Sequence, residues 1–189
     1  KSKEETMTTD ALWISETYLK DNSIINDNAD FQTLQPVIIL VQDKYIMPKL
    51  GTDLFEEIAG QITANTVTAL NTALMNYYIR KCLIWYILYE SPPIFKYRFM
   101  NKGIMVKSSE NSQPADLKEI QFLMNSFRNS AEWYTQRLTD YLVQEQSSYP
   151  LYNANNDSSD IRPDTNNFTS SLYLGDDCDV DSCFKDLIK

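Results

Sequence analysis

The chain has 189 residues, 43% hydrophobic and 12% aromatic, which is enough apolar material for one domain with a core but too little chain for two full ones. A net charge of −9 and a pI near 4.5 argue against a surface that grips nucleic acid, since neutralising phosphates takes clustered Lys and Arg. The 4 glycines form no phosphate-cradling pattern, and with no histidine the Ser-His-Asp and Cys-His nucleophile pairs are impossible.

Polar residues Lys1 to Asp10 contain no signal-peptide-like stretch, and the longest apolar run, Cys82 to Tyr89, is far short of the roughly 20 residues of a bilayer span. Synthesis in a cytoplasm and no membrane partner are therefore expected. Ser15 can cap a short helix from about Glu16 to Lys20, with Ile14 and Leu19 placed as a hydrophobic staple. Asp21 to Asp30 reads as a loop. Phe31, Leu34, Ile38, Val41 and Tyr45 then recur three and four apart, predicting a helix in which Pro36 is tolerable only in the first turn. Pro48 and Gly51 are expected to close it, and Thr52-Asp53 to open another helix whose core face is Leu54, Phe55 and Ile58.

Thr66 to Tyr89 is apolar over most of its girth, through Leu70, Leu74, Tyr77, Ile84, Ile87 and Leu88, so a central helix is expected. Ser91-Pro92-Pro93 should end it. Phe95, Tyr97 and Phe99 alternate with Lys96 and Arg98, the period of a half-exposed strand, and Asn101-Lys102-Gly103 can turn it into a second strand over Ile104 to Lys107. After the polar stretch Ser108 to Pro114, one seam continues through Leu117, Ile120, Met124, Phe127, Ala131, Tyr134, Leu138 and Tyr141. That spacing predicts a long amphipathic helix packing on the central one or on a neighbouring subunit.

From Ser147 the chain is rich in Asn, Asp, Ser and Thr, with eight acids against three bases and apolar islands at Tyr149 to Tyr152, Phe168 to Leu174 and Cys183 to Ile188. A tail that cannot build its own core gains order by lying on another chain, so a protein partner is expected for it. The organisation expected is an N-terminal arm at 1–13, a helical domain at 14–146 with a hairpin at about 94–107, and an extended acidic tail at 147–189. The fold class is mainly α: a helical bundle with one β-hairpin insertion and an extended C-terminal arm.

No constellation asks for catalysis, and no cofactor or enzymatic activity is expected. The adjacent acids Glu56 and Glu57, or Asp176 and Asp177, read as solvated charge rather than an acid-base pair. Asp177-Cys178-Asp179-Val180-Asp181 begins like a calcium loop but has Ser182 at the glycine position and Ile188 at the glutamate position. Cys82, Cys178 and Cys183 read as reduced thiols, and the last two have no second pair for zinc. The strand with Phe95, Tyr97 and Phe99 resembles a base-stacking platform, but core packing is the expectation in so acidic a chain.

The segments Leu34-Gln35-Pro36 with Gln42-Asp43-Lys44-Tyr45-Ile46, Leu50-Gly51-Thr52-Asp53-Leu54, Asn101-Lys102-Gly103 with Ser108-Ser109-Glu110-Asn111, and Ala131-Glu132-Trp133-Tyr134 with Asp140-Tyr141-Leu142 occur in that order. In this the chain resembles the head-to-tail connector (adaptor) ring proteins of tailed bacteriophages, in particular those of the crAss-like Bacteroides phages, over residues 14 to 152. The resemblance implies a virion protein at the head–tail junction, made in the host bacterial cytoplasm. It also implies a ring of the chain with itself, commonly of twelve subunits, bound to the portal protein and to further connector or tail ring proteins. DNA would pass through the channel without specific binding. The expected contact residues are Phe127, Tyr134, Leu138 and Tyr141 on the long seam. In the tail islands they are Tyr149, Tyr152, Phe168, Leu172, Tyr173 and Phe184. Two other readings are another virion ring, such as a stopper or tail-completion ring, and an acidic adaptor that binds a host protein through its tail.

Overall fold

A computed structural model describes residues 11–25, 29–100, 103–106, 117–152 and 161–165, with the backbone alone over 96–106. Ser15 caps α1 (Glu16–Asp21), accepting from the Tyr18 amide, and the staple residues Ile14 and Leu19 are both buried. Trp13 belongs to the same core. Its amide donates to Gln42 Oε1 at 3.0 Å, and Gln42 Nε2 returns a bond to the Ala11 carbonyl at 2.9 Å. The arm expected at 1–13 therefore ends before residue 11, because a buried Trp and a reciprocal amide clamp tie the chain down there.

Asp30 caps α2 (Phe31–Val41), accepting from the Gln32 amide at 3.0 Å. Pro36 lies beyond the first turn, contrary to expectation, and the helix runs through it. Pro36 and Gln32 are both exposed, so the carbonyl that loses its donor faces water. The expected stop at Pro48 is also absent. The helix widens into a π turn at Gln42–Ile46, where the Met47 amide reaches back to the Gln42 carbonyl, and α3 (Met47–Leu50) follows. A widened turn absorbs the missing donor and the ring of Pro48. Gly51, at φ +76°, ends this run and leads into α4 (Thr52–Thr63), which buries Leu54 and Ile58 and stacks Phe55 on Trp13 at 4.7 Å.

Thr68 caps α5 (Ala69–Leu74), a second π turn spans Met75–Ile79, and α6 (Arg80–Lys96) completes one continuous helical rod. Leu74, Ile79, Leu83 and Ile87 are fully enclosed, which makes the rod central, but Leu70 and Tyr77, expected inside, are exposed. Pro92 and Pro93 do not end the helix. Ser91 Oγ donates to the Ile87 carbonyl, and the two prolines leave Leu88 and Tyr89 carbonyls without helical donors only one turn before the helix stops anyway. Phe95 and Lys96 thus belong to α6 rather than to a strand. The backbone of β1 (Tyr97–Met100) pairs antiparallel with β2 (Gly103–Val106), Tyr97 opposite Val106.

α7 (Leu117–Gln144) runs antiparallel to the rod. Tyr78 stacks on Tyr141 at 4.2 Å, Thr135 Oγ1 meets Tyr86 Oη at 3.3 Å, and Trp85 lies against Phe127 with ring centroids 6.0 Å apart. The architecture is mainly helical, with α6 between α2 on one side and α7 on the other and a single core through all of them.

That core carries past residue 146, where the domain was expected to end. Tyr149 and Tyr152 are buried, the latter in a 3-10 turn at Pro150–Tyr152. Residues 161–164 strap the junction of α3 and α4: the Ile161 carbonyl accepts from the Thr52 amide at 2.9 Å, and the Asp164 amide donates to the Pro48 carbonyl at 2.8 Å. Each bond satisfies a backbone group that a helix end leaves without a partner. Lys49 adds an ion pair to Asp164 at 2.8 Å.

Candidate interaction surface

The polar groups inside the rod act as a frame. Tyr45, in the first π turn, stacks on Tyr86 at 3.9 Å and donates to Glu90 Oε1 at 2.5 Å, while Lys44 Nζ donates to the same oxygen at 2.7 Å. Burial and that bond push the Tyr45 phenol up to about 12, and the Glu90 carboxylate raises the Lys44 ammonium. Tyr86 meets Thr135, whose hydroxyl also donates to the Ala131 carbonyl at 2.9 Å, so α2, α6 and α7 are locked together by one chain of contacts. Cys82 is enclosed beside them, and desolvation pushes its thiol up to about 12, which makes it an inert core residue rather than a nucleophile.

The expected contact residues divide. Phe127, Leu138, Tyr149 and Tyr152 are buried in this chain's own core, covered by the rod and α4, so for the long seam packing on the central helix is the alternative seen. Tyr134 and Tyr141 are half-buried against the same core. Phe168, Leu172, Tyr173 and Phe184 lie outside the described residues, as do Cys178, Cys183 and the Asp-rich terminus.

What remains open lies elsewhere. At one end of the α6/α7 pair Leu117 is 62% and Phe122 77% exposed, with Leu123 and Ile94 beside them. Tyr89, Pro92 and Pro93 face Leu117, Ile120 and Met124 across a hollow of about 350 Å³. At the other end Leu70, Tyr77 and Val143 are exposed. The 28 residues of α7 separate these ends by about 40 Å. Midway along α7's outer side Trp133 is 59% exposed, held edge-on by Tyr134. The seam count missed Phe122 and Trp133 because they sit opposite the seam; the available signal was two large aromatics on an otherwise polar helix face.

Among the described residues there is no cluster of three metal-ligating acids or cysteines, and no helix is long and apolar enough to cross a membrane. The exposed apolar ground at the ends of the rod and on α7 is of the kind that packs against other protein. No curated protein and no solved structure matches the chain significantly. A family model described only as a family of unknown function (DUF6712) matches residues 46–162, from the first π turn through α7 to the strap, and the chain belongs to that family.

Proposed function

We propose that the chain is a structural virion protein, a subunit of a head-to-tail connector ring that joins the portal to the tail and extends the DNA channel. The observation that carries this reading is the pair of exposed apolar patches at opposite ends of a braced helical rod about 40 Å long. A connector must hold one neighbour above and another below, and exposed apolar ground at both ends supplies that, while the locked interior keeps the spacing fixed. The motif resemblance set out above supplies the phage context.

In this reading the protein works by assembly, without a cofactor. The hairpin of β1 and β2 is the projecting element at the Ile94 end, and the acidic stretch beyond residue 165 is the part left to meet a neighbouring protein. A net charge of −9 suits a conduit wall, because repelled phosphate slides rather than sticks. Size-exclusion chromatography with light scattering, on the chain alone and mixed with a candidate portal protein, tests the reading. A ring-sized species that forms with portal supports it. A chain whose mass is indifferent to portal moves the assignment to another virion ring or to an adaptor for a host protein.

A further inference from the structure

Arg80, the first residue of α6, is pinned on three sides. Its Nε donates to the Trp13 carbonyl at 3.0 Å, Nη1 donates to Asn76 Oδ1, and the guanidinium carbon lies 5.1 Å from the centre of the Tyr18 ring. These contacts fix the plane of the fork and leave Nη2 unused among the described residues. No described acid pairs with Arg80, whereas Lys20, Lys44, Lys49 and Arg128 each hold one. In a chain of net charge −9 this is a fixed, half-buried cation without its anion.

Arg80 lines a hollow of about 210 Å³ where the end of α4 meets the rod. Leu12, Ile62 and Val67, all half-buried, and the buried Met75 give it an apolar lining, and no Asp or Glu lines it. Exposed Asn65 and Thr72 stand on its open side. We infer that this hollow is a carboxylate-binding site in which Arg80 takes the carboxylate through Nη2 and the apolar side chains take a short aliphatic stem. A guanidinium held in place loses little freedom on binding, and its planar fork matches a carboxylate. The single positive charge and apolar lining suit a monocarboxylate rather than a phosphate, which needs several donors. That chemistry has two sources: a free aliphatic acid, or an acidic side chain of the chain itself, of which Asp10 is the first before the described residues and lies at most about 7 Å along the chain from Leu12. The site goes beyond the connector reading and does not rest on it.

Titration of the full chain with sodium butyrate, followed by NMR at the Arg80 Nε–H signal, reads the site. Butyrate is expected to shift that signal with a dissociation constant of about 1 mM or below, and butyramide, its neutral twin, to leave it unmoved. Arg80→Gln should weaken butyrate binding about tenfold or more, read on the amides of Asn65 and Val67, and Arg80→Lys should retain part of it. If the native chain is silent and Asp10→Asn binds butyrate, the carboxylate is the chain's own and the site stands. Silence in both chains, equal binding of butyramide, or undiminished binding by a folded Arg80→Gln overturns the inference. Should Arg80→Gln not fold, Arg80→Lys and the butyramide comparison still decide it. None of these results bears on the portal experiment, so the two proposals fail separately.

Discussion

Cys82 and Tyr45 hold their protons in the folded chain to about 12, both chiefly because burial penalises the charged form. An unfolded chain releases those protons from about pH 9 for the thiol and about 10 for the phenol. Between these limits the unfolded state binds fewer protons, so stability is fully present at lower pH and is lost as pH rises towards 12. Denaturant titrations at stepped pH should show that fall, with the onset displaced upward in Cys82→Ala; a stability that rises across the window contradicts the burial of both groups. A second residue tests the core from the opposite side. The Tyr152 hydroxyl is buried without a hydrogen-bond partner among the described residues. Tyr152→Phe removes an unsatisfied polar atom and leaves the ring, so it should be neutral or stabilise by up to about 1 kcal/mol in the same titrations.

At the scale of elements, the bend between α3 and α4 depends on Gly51, whose φ of +76° and ψ of 161° suit glycine alone. A Cβ there would also stand 2.7 Å from Pro163 Cδ, so the strap and the bend exclude a side chain together. Gly51→Ala is expected to cost roughly 2 kcal/mol or more. Gly60, inside α4 with nothing within 4 Å of a Cβ, gives the reverse: Gly60→Ala should stabilise by about 1 kcal/mol. Equal effects at the two sites would sink the assignment of the bend. Truncation makes the same point for the strap. A chain ending at residue 146 loses Tyr149 and Tyr152 from the core and the bonds to Thr52 and Pro48, and should melt at much lower temperature than a chain ending at 165. Similar melting of the two would show that the domain closes at 146 after all.

Spacing of three and four made α2, α4 and the α7 seam legible, because each buries one stripe; α1 was legible from its Ser15 cap and staple, and the central rod from being apolar over most of its girth. Proline rules failed at Pro36, Pro48 and Pro92-Pro93 for one reason: a missing donor is cheap where the orphaned carbonyl faces water, where a π turn takes up the slack, or where the helix is about to end. Tyr149 and Tyr152 were read as an island in a polar tail because composition averages over a window, whereas two buried rings and two backbone bonds suffice to dock a short segment. The exposed aromatics of α7 were not legible as a surface until the packing showed which stripe the core had taken.

For the whole molecule, α6 lies between α2 and α7, the frame of Tyr45, Tyr86 and Thr135 ties all three, and exposed apolar side chains stand at both ends of the rod and along the outer side of α7, besides Ile24 and Leu40. A rod braced in this way transmits position from one end to the other, which is the mechanical requirement of a connector. The most direct test is cryo-electron microscopy of the chain mixed with portal protein. For the proposed connector subunit a closed ring is expected on the tail-facing end of the portal, with Leu117 and Ile94 at one rim and Leu70 and Tyr77 at the other. Portal particles carrying no added ring would contradict it.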